Sequence, residues 1–93
     1  MNHLNRKQLE MLLHLSENEG MLFYKVVDKL ADERELHEST IRWNLNKLRK
    51  AGLFTAGNKN NKGIPLELTP SGKMVALQYA KAIKNGENIK NEH

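Results

Sequence analysis

Cysteine is absent from this sequence of 93 residues, and proline and aromatic residues are scarce, with two prolines and 5% Phe, Trp and Tyr. Without thiols the chain can form neither disulfide bridges nor thiolate metal sites. No apolar run approaches the length that crosses a bilayer, and the first residues lack the apolar stretch of a secretion signal. These absences predict a cytoplasmic protein with no membrane association and a core of aliphatic side chains.

Residue types that carry catalysis or bind metals are present but are not clustered. The four histidines are scattered, and no pair has metal-ligand spacing on a helix. No set of serine, histidine and acid and no phosphate-binding glycine loop is visible either. We therefore expect no catalytic residue, no metal and no cofactor, in a protein that is not an enzyme.

The chain is long enough for one compact domain and too short for two. We expect a single domain over residues 1–84, whose last helix spans about 70–84. The remaining residues, 85–93, are polar and rich in asparagine. They are predicted to form a flexible tail.

Positive charge is concentrated in the second half of the chain. The formal net charge is +4, and between Ser39 and Leu66 the sequence has six basic residues and no acidic one. The segment 28–38, immediately before, has five acidic residues and two basic ones. Such a basic segment is either a solvated surface or the contact surface of a polyanionic partner, and charge alone favours neither interpretation.

The apolar spacing of the first third predicts two helices joined by a short apolar segment. Asn5 can cap a first helix that ends near residue 18 or 20. The segment 21–23 is either a brief strand or an entry loop. A second helix is expected over about 24–33.

The rest of the chain predicts a helix, a two-stranded hairpin and a last helix. The third helix is expected over about 39–51. Strands over 53–56 and 64–68 flank an exposed loop dense in turn formers. Thr69 followed by Pro70 is a strong signal for the start of the last helix.

The stretch from Leu30 to Ile41, continued by Leu45, Leu48 and the run 51–53, resembles the core of winged helix-turn-helix regulators of the MarR and ArsR type. Those families typically have Leu-Ala at the end of the second helix, a short turn, and Ser-Thr-Val or Ser-Thr-Ile at the start of the recognition helix. Two leucines and Ala-Gly-Leu then lead into the wing. The segment 66–72 also resembles the junction that follows the wing.

The resemblance implies an α+β, mainly α fold with a three-helix core, a β-hairpin wing over about 54–68 and a C-terminal helix. It also implies a transcriptional regulator that binds double-stranded DNA. A small microbial, archaeal or viral member of these families would suit the size and the composition rich in lysine and asparagine.

Two positions depart from the family pattern. The turn before the recognition helix usually holds glycine, but this chain has Glu35 there, with Arg34 in place of an apolar residue. Either the second helix runs longer or the turn is looser. His37 replaces the usual serine cap, which favours Ser39 as the cap and a later start of the helix.

Helical spacing divides the third helix into an inward and an outward half. Ile41, Leu45 and Leu48 point inward, so the opposite half is available to enter the major groove of duplex DNA. The wing loop adds basic residues beside it. The residues expected to contact DNA are Ser39, Thr40, Arg42, Trp43, Asn46, Lys47, Arg49, Lys50, Lys59 and Lys62.

Each of these residue types has a characteristic partner. Arg42 can bridge a guanine edge and Asn46 an adenine edge, while Ser39 or Thr40 can donate to a phosphate. The remaining lysines, together with Arg49, are expected to neutralise phosphates. For the wing lysines the alternative is an ordinary solvated hairpin tip.

Trp43 is the single tryptophan of the chain. A lone tryptophan normally lies in a core. Trp43, however, lies about 200° around the helix from Ile41, away from the inward leucines. We therefore expect it to be exposed and to contact a thymine methyl group or a sugar.

The first and last helices have apolar residues over more of their circumference than one core can cover, which predicts a homodimer built from these helices. The alternative is a monomer with a broadly buried last helix. In a dimer the two recognition helices would lie about 34 Å apart. The residues expected at the interface are Leu4, Met11, Leu15, Val75, Tyr79, Ala82 and Ile83.

The leading hypothesis is a homodimeric, sequence-specific DNA-binding transcriptional regulator. The alternative is a winged-helix protein–protein interaction module of a larger assembly without direct DNA binding. In that case Trp43 and the last helix would dock onto protein. No residue indicates a small-molecule effector.

Overall fold

The computed structural model describes residues 4–58 and 60–86. Apart from the segment 21–23, the order of elements is the one predicted from the sequence, and the α+β, mainly α fold class is confirmed. Four helices and two short strands follow one another as α1 (Arg6–Ser16), α2 (Phe23–Arg34), α3 (Glu38–Lys50), β1 (Phe54–Thr55), β2 (Glu67–Leu68) and α4 (Pro70–Asn85).

Helix α1 begins with a reciprocal capping interaction. The Asn5 side chain accepts a hydrogen bond from the Gln8 backbone at 2.8 Å, and the Gln8 side chain accepts one from the Asn5 backbone at 3.3 Å. This capping box satisfies two backbone donors that the first turn of a helix leaves without partners. The predicted cap at Asn5 is therefore confirmed. The helix ends at Ser16, earlier than predicted, and the Asn18 amide donates to the His14 carbonyl of the last turn at 2.7 Å.

The segment between α1 and α2 is an entry loop rather than a strand. It nevertheless pairs with the chain that enters β2. The Gly20 N–H donates to the Leu66 carbonyl, and the Leu66 N–H donates to the Met21 carbonyl, both at 2.8 Å. These two bonds fix the hairpin to the start of α2.

The turn between α2 and α3 has the left-handed residue that the family pattern places there. Glu35 has φ 54° and ψ 41°, a conformation that glycine adopts at much lower cost. Helix α2 runs one residue further than predicted, to Arg34, whose guanidinium lies 2.8 Å from the Glu10 carboxylate. The turn is thus retained without glycine.

The recognition helix lies within one residue of the predicted bounds, but Ser39 is not its cap. His37 has the extended backbone of an N-cap residue, and its carbonyl accepts a hydrogen bond from the Ile41 N–H at 3.1 Å. Helix α3 therefore begins at Glu38, whose carboxylate is favoured near the positive end of the helix dipole. Ser39 lies in the first turn. No side chain caps this helix.

The hairpin strands are shorter than predicted. Phe54 pairs with Leu68 and Thr55 with Glu67 in an antiparallel register. Between the strands, single backbone hydrogen bonds rather than a continuous ladder join the two sides of the hairpin, such as the one from the Gly57 N–H to the Ile64 carbonyl. Pro65 has no N–H to donate to a ladder, and the backbone of Leu66 is paired with Gly20 and Met21, so only Glu67 and Leu68 form the return strand.

The core is aliphatic with one aromatic member, as the composition predicts. It draws on all four helices and on both sides of the hairpin. Its buried members are Met11, Leu12, Leu15, Val26, Val27, Leu30, Ile41, Leu45, Leu48, Leu53, Phe54, Leu66, Leu68 and Ala76.

This core corrects the predicted dimer interface. Met11 and Leu15 are 0% exposed and Tyr79 is 5% exposed within a single chain, so these side chains are not available to a second copy. Both apolar sides of α1 are covered from within the chain, because α1 packs against α4 and α3. The other predicted interface residues are partly buried: Leu4, Val75, Ala82 and Ile83.

The outward side of α4 carries two large apolar residues. Met74 is 62% exposed and Leu77 is 57% exposed. They lie three residues apart and therefore on the same side of the helix. Helix α4 continues to Asn85, and Gly86 follows it with φ 74°. The rest of the predicted tail, 87–93, lies outside the described residues.

Within the described ranges, 4–58 and 60–86, no helix is long and apolar enough to cross a membrane.

Candidate nucleic-acid interface

Helix α3 has the predicted inward and outward halves. Ile41, Leu45 and Leu48 are 0% exposed. The opposite half is open to solvent along the whole helix, apart from Thr40, which is partly buried. Its exposed predicted contact residues are Ser39, Arg42, Trp43, Asn46, Lys47 and Lys50.

Asn44 lies on the inward half and was not among the predicted site residues. It is 4% exposed and accepts a hydrogen bond from the Gln8 side chain at 3.1 Å. Its own amide donates to the Thr40 carbonyl at 2.9 Å. The bond between Gln8 and Asn44 ties the start of α1 to the middle of α3. Both amides are buried, and losing one partner would leave the other amide without a hydrogen bond at a cost in stability. The signal was available, because Asn44 follows Ile41 by three residues, the spacing of the inward stripe.

Trp43 lies on the surface, as predicted, and is 58% exposed. The Lys47 ammonium lies 5.0 Å from the centre of its ring. An ammonium at this distance is attracted to the ring face. The two side chains therefore form one exposed unit, with an apolar surface beside a positive charge. Their contact with DNA stays a prediction.

Arg42 lies on the same outward half. Its nearest acidic partner is Glu38, one turn earlier, at 3.8 Å between Nη2 and Oε1. Both side chains are about half exposed, and pairs of this kind contribute little. The Arg42 guanidinium can therefore exchange this partner for a base edge at small cost.

Arg49 is placed differently from the phosphate contact that was predicted. Its guanidinium carbon lies 4.8 Å from the Phe23 ring centre and 5.5 Å from that of Phe54. Nη2 donates to the Gly57 carbonyl at 3.2 Å. The guanidinium is thus engaged by three other elements of the chain, and a phosphate contact by Arg49 stays a prediction.

The wing loop is closed by its own backbone. The Gly57 N–H donates to the Ile64 carbonyl at 3.1 Å, and the Asn58 side chain accepts from the Asn60 N–H at 2.8 Å and the Asn61 N–H at 3.0 Å. A Cβ atom at Gly57 would overlap the Asn61 carbonyl oxygen, so the loop requires glycine there.

The two predicted wing lysines differ in what the structure shows of them. Lys62 is exposed. Lys59 lies outside the described residues. A phosphate contact by either lysine therefore stays a prediction, and only Lys62 can be placed relative to α3.

A cleft of about 850 Å³ lies between α3, the start of α2 and the wing. Arg42 and Asn46 line it from α3, and Lys62 lines it from the wing. The exposed ring of Tyr24 borders it on the α2 side. The structure thus brings the outward half of α3 and the wing together around one electropositive concave surface, which we call the α3–wing surface.

No group of three or more His, Asp or Glu residues that could hold a metal ion is present in the part of the chain that the structure describes. The His14 ring lies 3.7 Å from the Glu33 carboxylate on the α1–α2 side of the fold.

The fold is shared with several solved structures. SSV1 F-93 is similar with a TM-score of 0.68 at 24% identity, covering 100% of this chain and 98% of that one. FabT of Streptococcus pneumoniae, solved in complex with DNA, has a TM-score of 0.71 at 15% identity, covering 98% of this chain and 63% of that one. The multiple antibiotic-resistance repressor MarR of Listeria monocytogenes has a TM-score of 0.64 at 22% identity, covering 92% of this chain and 61% of that one.

The chain thus spans less than two thirds of the length of those two regulators, and nearly all of SSV1 F-93. No protein-family model and no curated protein sequence matches it. At these identities the likeness shows the fold: this chain has the winged-helix fold of MarR-type transcriptional regulators.

Proposed function

We propose that this protein is a sequence-specific transcriptional regulator that binds double-stranded DNA and has no catalytic activity of its own. In this proposal α3 enters the major groove and the wing lies along the backbone or in the minor groove. The observation that carries it is the α3–wing surface, on which exposed Arg42 and Asn46 face the same cleft as Lys62. A similar fold has been solved with DNA bound, in FabT.

The dimensions of α3 suit this placement. A helix with its side chains is about 10–12 Å across, and the major groove is about 12 Å wide. The N-terminal half of a recognition helix meets the base edges. In α3 this half carries Ser39, Arg42 and Trp43, and Asn46 follows one turn after Arg42; all four are exposed.

The contacts divide into those that read bases and those that hold the backbone. Arg42 would form two hydrogen bonds to guanine and Asn46 two to adenine. Trp43 would contact a thymine methyl group or a sugar. The residues proposed to contact phosphates are Ser39, Thr40, Lys47, Lys50, Lys59 and Lys62.

We also propose that two copies bind together through α4. Met74 and Leu77 form an exposed apolar pair on the outward side of this helix. A second copy that covers this pair would bury it around a two-fold axis. The partly buried Val75 and Ala82 would border that contact on the Met74 side, whereas Ile83 lies about 180° around the helix from Met74 and would not. Leu4 on α1 would lie at the edge of that contact. The domain would span residues 1–84.

Selection of bound fragments from random duplex DNA tests the proposal. We expect enrichment of a roughly palindromic site whose half-sites lie about 10 bp apart, the spacing that a two-fold dimer imposes. Log affinity should fall with log salt at about 0.9 per phosphate contact. Absence of any enriched site, together with binding that salt does not weaken, would contradict the proposal.

A pair of charge-reversed variants separates this function from a protein-interaction module. Lys59→Glu with Lys62→Glu should abolish duplex binding, because both changes lie in the wing. Lys7→Glu with Lys25→Glu is the matched control, since it reverses two exposed charges outside the α3–wing surface. Equal loss in the two variants would mean that net charge, not the wing, governs binding. An unaffected wing variant would favour the interaction module.

A further inference from the structure

The Arg49 side chain joins four parts of the fold. It extends from the last turn of α3, and its guanidinium lies beside the stacked ring pair that Phe23, at the start of α2, forms with Phe54, in β1. The two ring centres are 6.4 Å apart with an angle of 18° between the ring planes. The guanidinium also donates to Gly57, the first residue of the wing loop.

Gly57 is the point at which the wing is attached. Its N–H is bonded to the Ile64 carbonyl across the loop, and its own carbonyl accepts from Arg49. Both backbone polar groups of Gly57 are therefore used. One of them closes the loop, and the other ties the closed loop to α3.

The arrangement favours a planar cation. A guanidinium can contact aromatic rings and at the same time donate a hydrogen bond in its own plane, whereas a lysine ammonium can contact a ring but has no planar donor group. Arg49 Nε is buried without a hydrogen-bond partner. The contacts with the rings, rather than a complete set of hydrogen bonds, therefore hold the group in place.

We propose that Arg49 is a positioning residue that sets the angle between the wing and α3. Through Gly57 it holds Lys62 at a position from which that lysine and Arg42 can contact the same duplex. In this role Arg49 acts through the wing, although it also lines the cleft that Arg42 and Lys62 share. The effect on DNA binding rests on the proposed function. The contacts of Arg49 with Phe23, Phe54 and Gly57, which we call the clamp, are a property of the free protein.

The first test uses the free protein and follows amide hydrogen exchange in Arg49→Lys, which keeps the charge and removes the planar group. Wing amides, with Gly57 and Asn61 as reporters, should exchange about tenfold faster, while core amides of α1 and α3 keep their rates. The matched control is Arg42→Lys, which should leave the wing amides unchanged. Unchanged wing exchange in Arg49→Lys would overturn the proposal, and so would equal acceleration in the core.

The second test is a double-mutant cycle on duplex binding. If Arg49 acts through the wing, Arg49→Lys should lower affinity about as much as Lys62→Ala, and combining them should add less than about twofold. The reference cycle, Arg42→Ala with Lys62→Ala, should be additive. Additive losses with Arg49→Lys, or no loss at all, would overturn the positioning role.

The two tests separate the inference from the function on which it rests. If the wild-type protein binds no duplex, the proposed function fails, and the exchange experiment still decides whether the clamp exists. If duplex binds but the cycle is additive, the function stands and the positioning role fails.

Discussion

Helices α3 and α4 both expose one side to solvent, but the two sides differ in chemistry. The outward half of α3 is polar and basic with one tryptophan, whereas the outward side of α4 carries Met74 and Leu77. A basic helix beside a basic loop suits a polyanion, and an apolar pair suits another apolar surface. The difference predicts a polyanionic partner for α3 and an apolar partner for α4.

The largest expected effect contrasts the two halves of α3 itself. Leu45→Ala should lower the free energy of unfolding by about 2–5 kcal/mol, because it leaves a cavity in the core. Trp43→Ala should lower it by less than about 1 kcal/mol, since only the exposed contact with Lys47 is lost. Denaturant unfolding measures both. A cost for Trp43→Ala equal to that for Leu45→Ala would contradict the division of α3 into two halves.

The next effect compares α3, which is proposed to contact bases, with α4, which is not. Arg42→Ala should weaken binding to a single half-site by about 1–3 kcal/mol, the worth of one bidentate base contact. Met74→Ala with Leu77→Ala should leave the half-site affinity unchanged, because α4 faces away from the DNA in the proposed arrangement. Fluorescence anisotropy on a labelled half-site compares the two. Equal losses would mean that α4 is part of the DNA surface.

The outward side of α4 should matter for assembly and not for folding. Met74→Lys with Leu77→Lys should change the free energy of unfolding measured on the monomer by less than about 0.5 kcal/mol, because both residues are exposed. The same variant should dissociate the dimer and weaken binding to the full palindrome about tenfold through loss of avidity. Sedimentation velocity reports the oligomeric state, with Lys25→Ala, an exposed residue on α2, as control. A variant that sediments as the wild type does would contradict the proposed dimer surface.

The smallest expected effect separates backbone contacts from base contacts. Lys62→Ala should lower affinity a few-fold for all duplex sequences alike and reduce the salt slope by about 0.9, the share of one phosphate. A binding series from low to moderate salt measures the slope. A loss confined to one sequence would instead assign Lys62 to base reading.

Sequence reasoning succeeded where hydrophobic spacing is unambiguous. In α3 the stripe at Ile41, Leu45 and Leu48 has polar residues around it, so the spacing indicates both the buried and the exposed half. In α1 and α4 apolar residues surround most of the helix, and spacing cannot tell which of them another part of the same chain covers. Met11 and Leu15 were assigned to a dimer for that reason, although α3 and α4 enclose them.

The role of Arg49 could not have been predicted from local sequence. Its position near the basic end of α3 indicates a phosphate contact as readily as any other role. Its actual partners, Phe23 and Phe54, come from different elements, and only the fold brings both rings beside it. Glu35 is a similar case. It adopts the left-handed conformation of the turn, which its residue type alone does not predict because glycine adopts it at lower cost.

The central claim is that the α3–wing surface is the surface that meets duplex DNA, and Trp43 allows it to be tested directly. It is the single tryptophan in the sequence, so its fluorescence reports on the outward half of α3 alone. Adding duplex at low salt should protect Trp43 from acrylamide quenching, and raising the salt should reverse the protection as the DNA dissociates. Duplex that binds, as shown by anisotropy of labelled DNA, while the quenching of Trp43 stays unchanged would contradict the account.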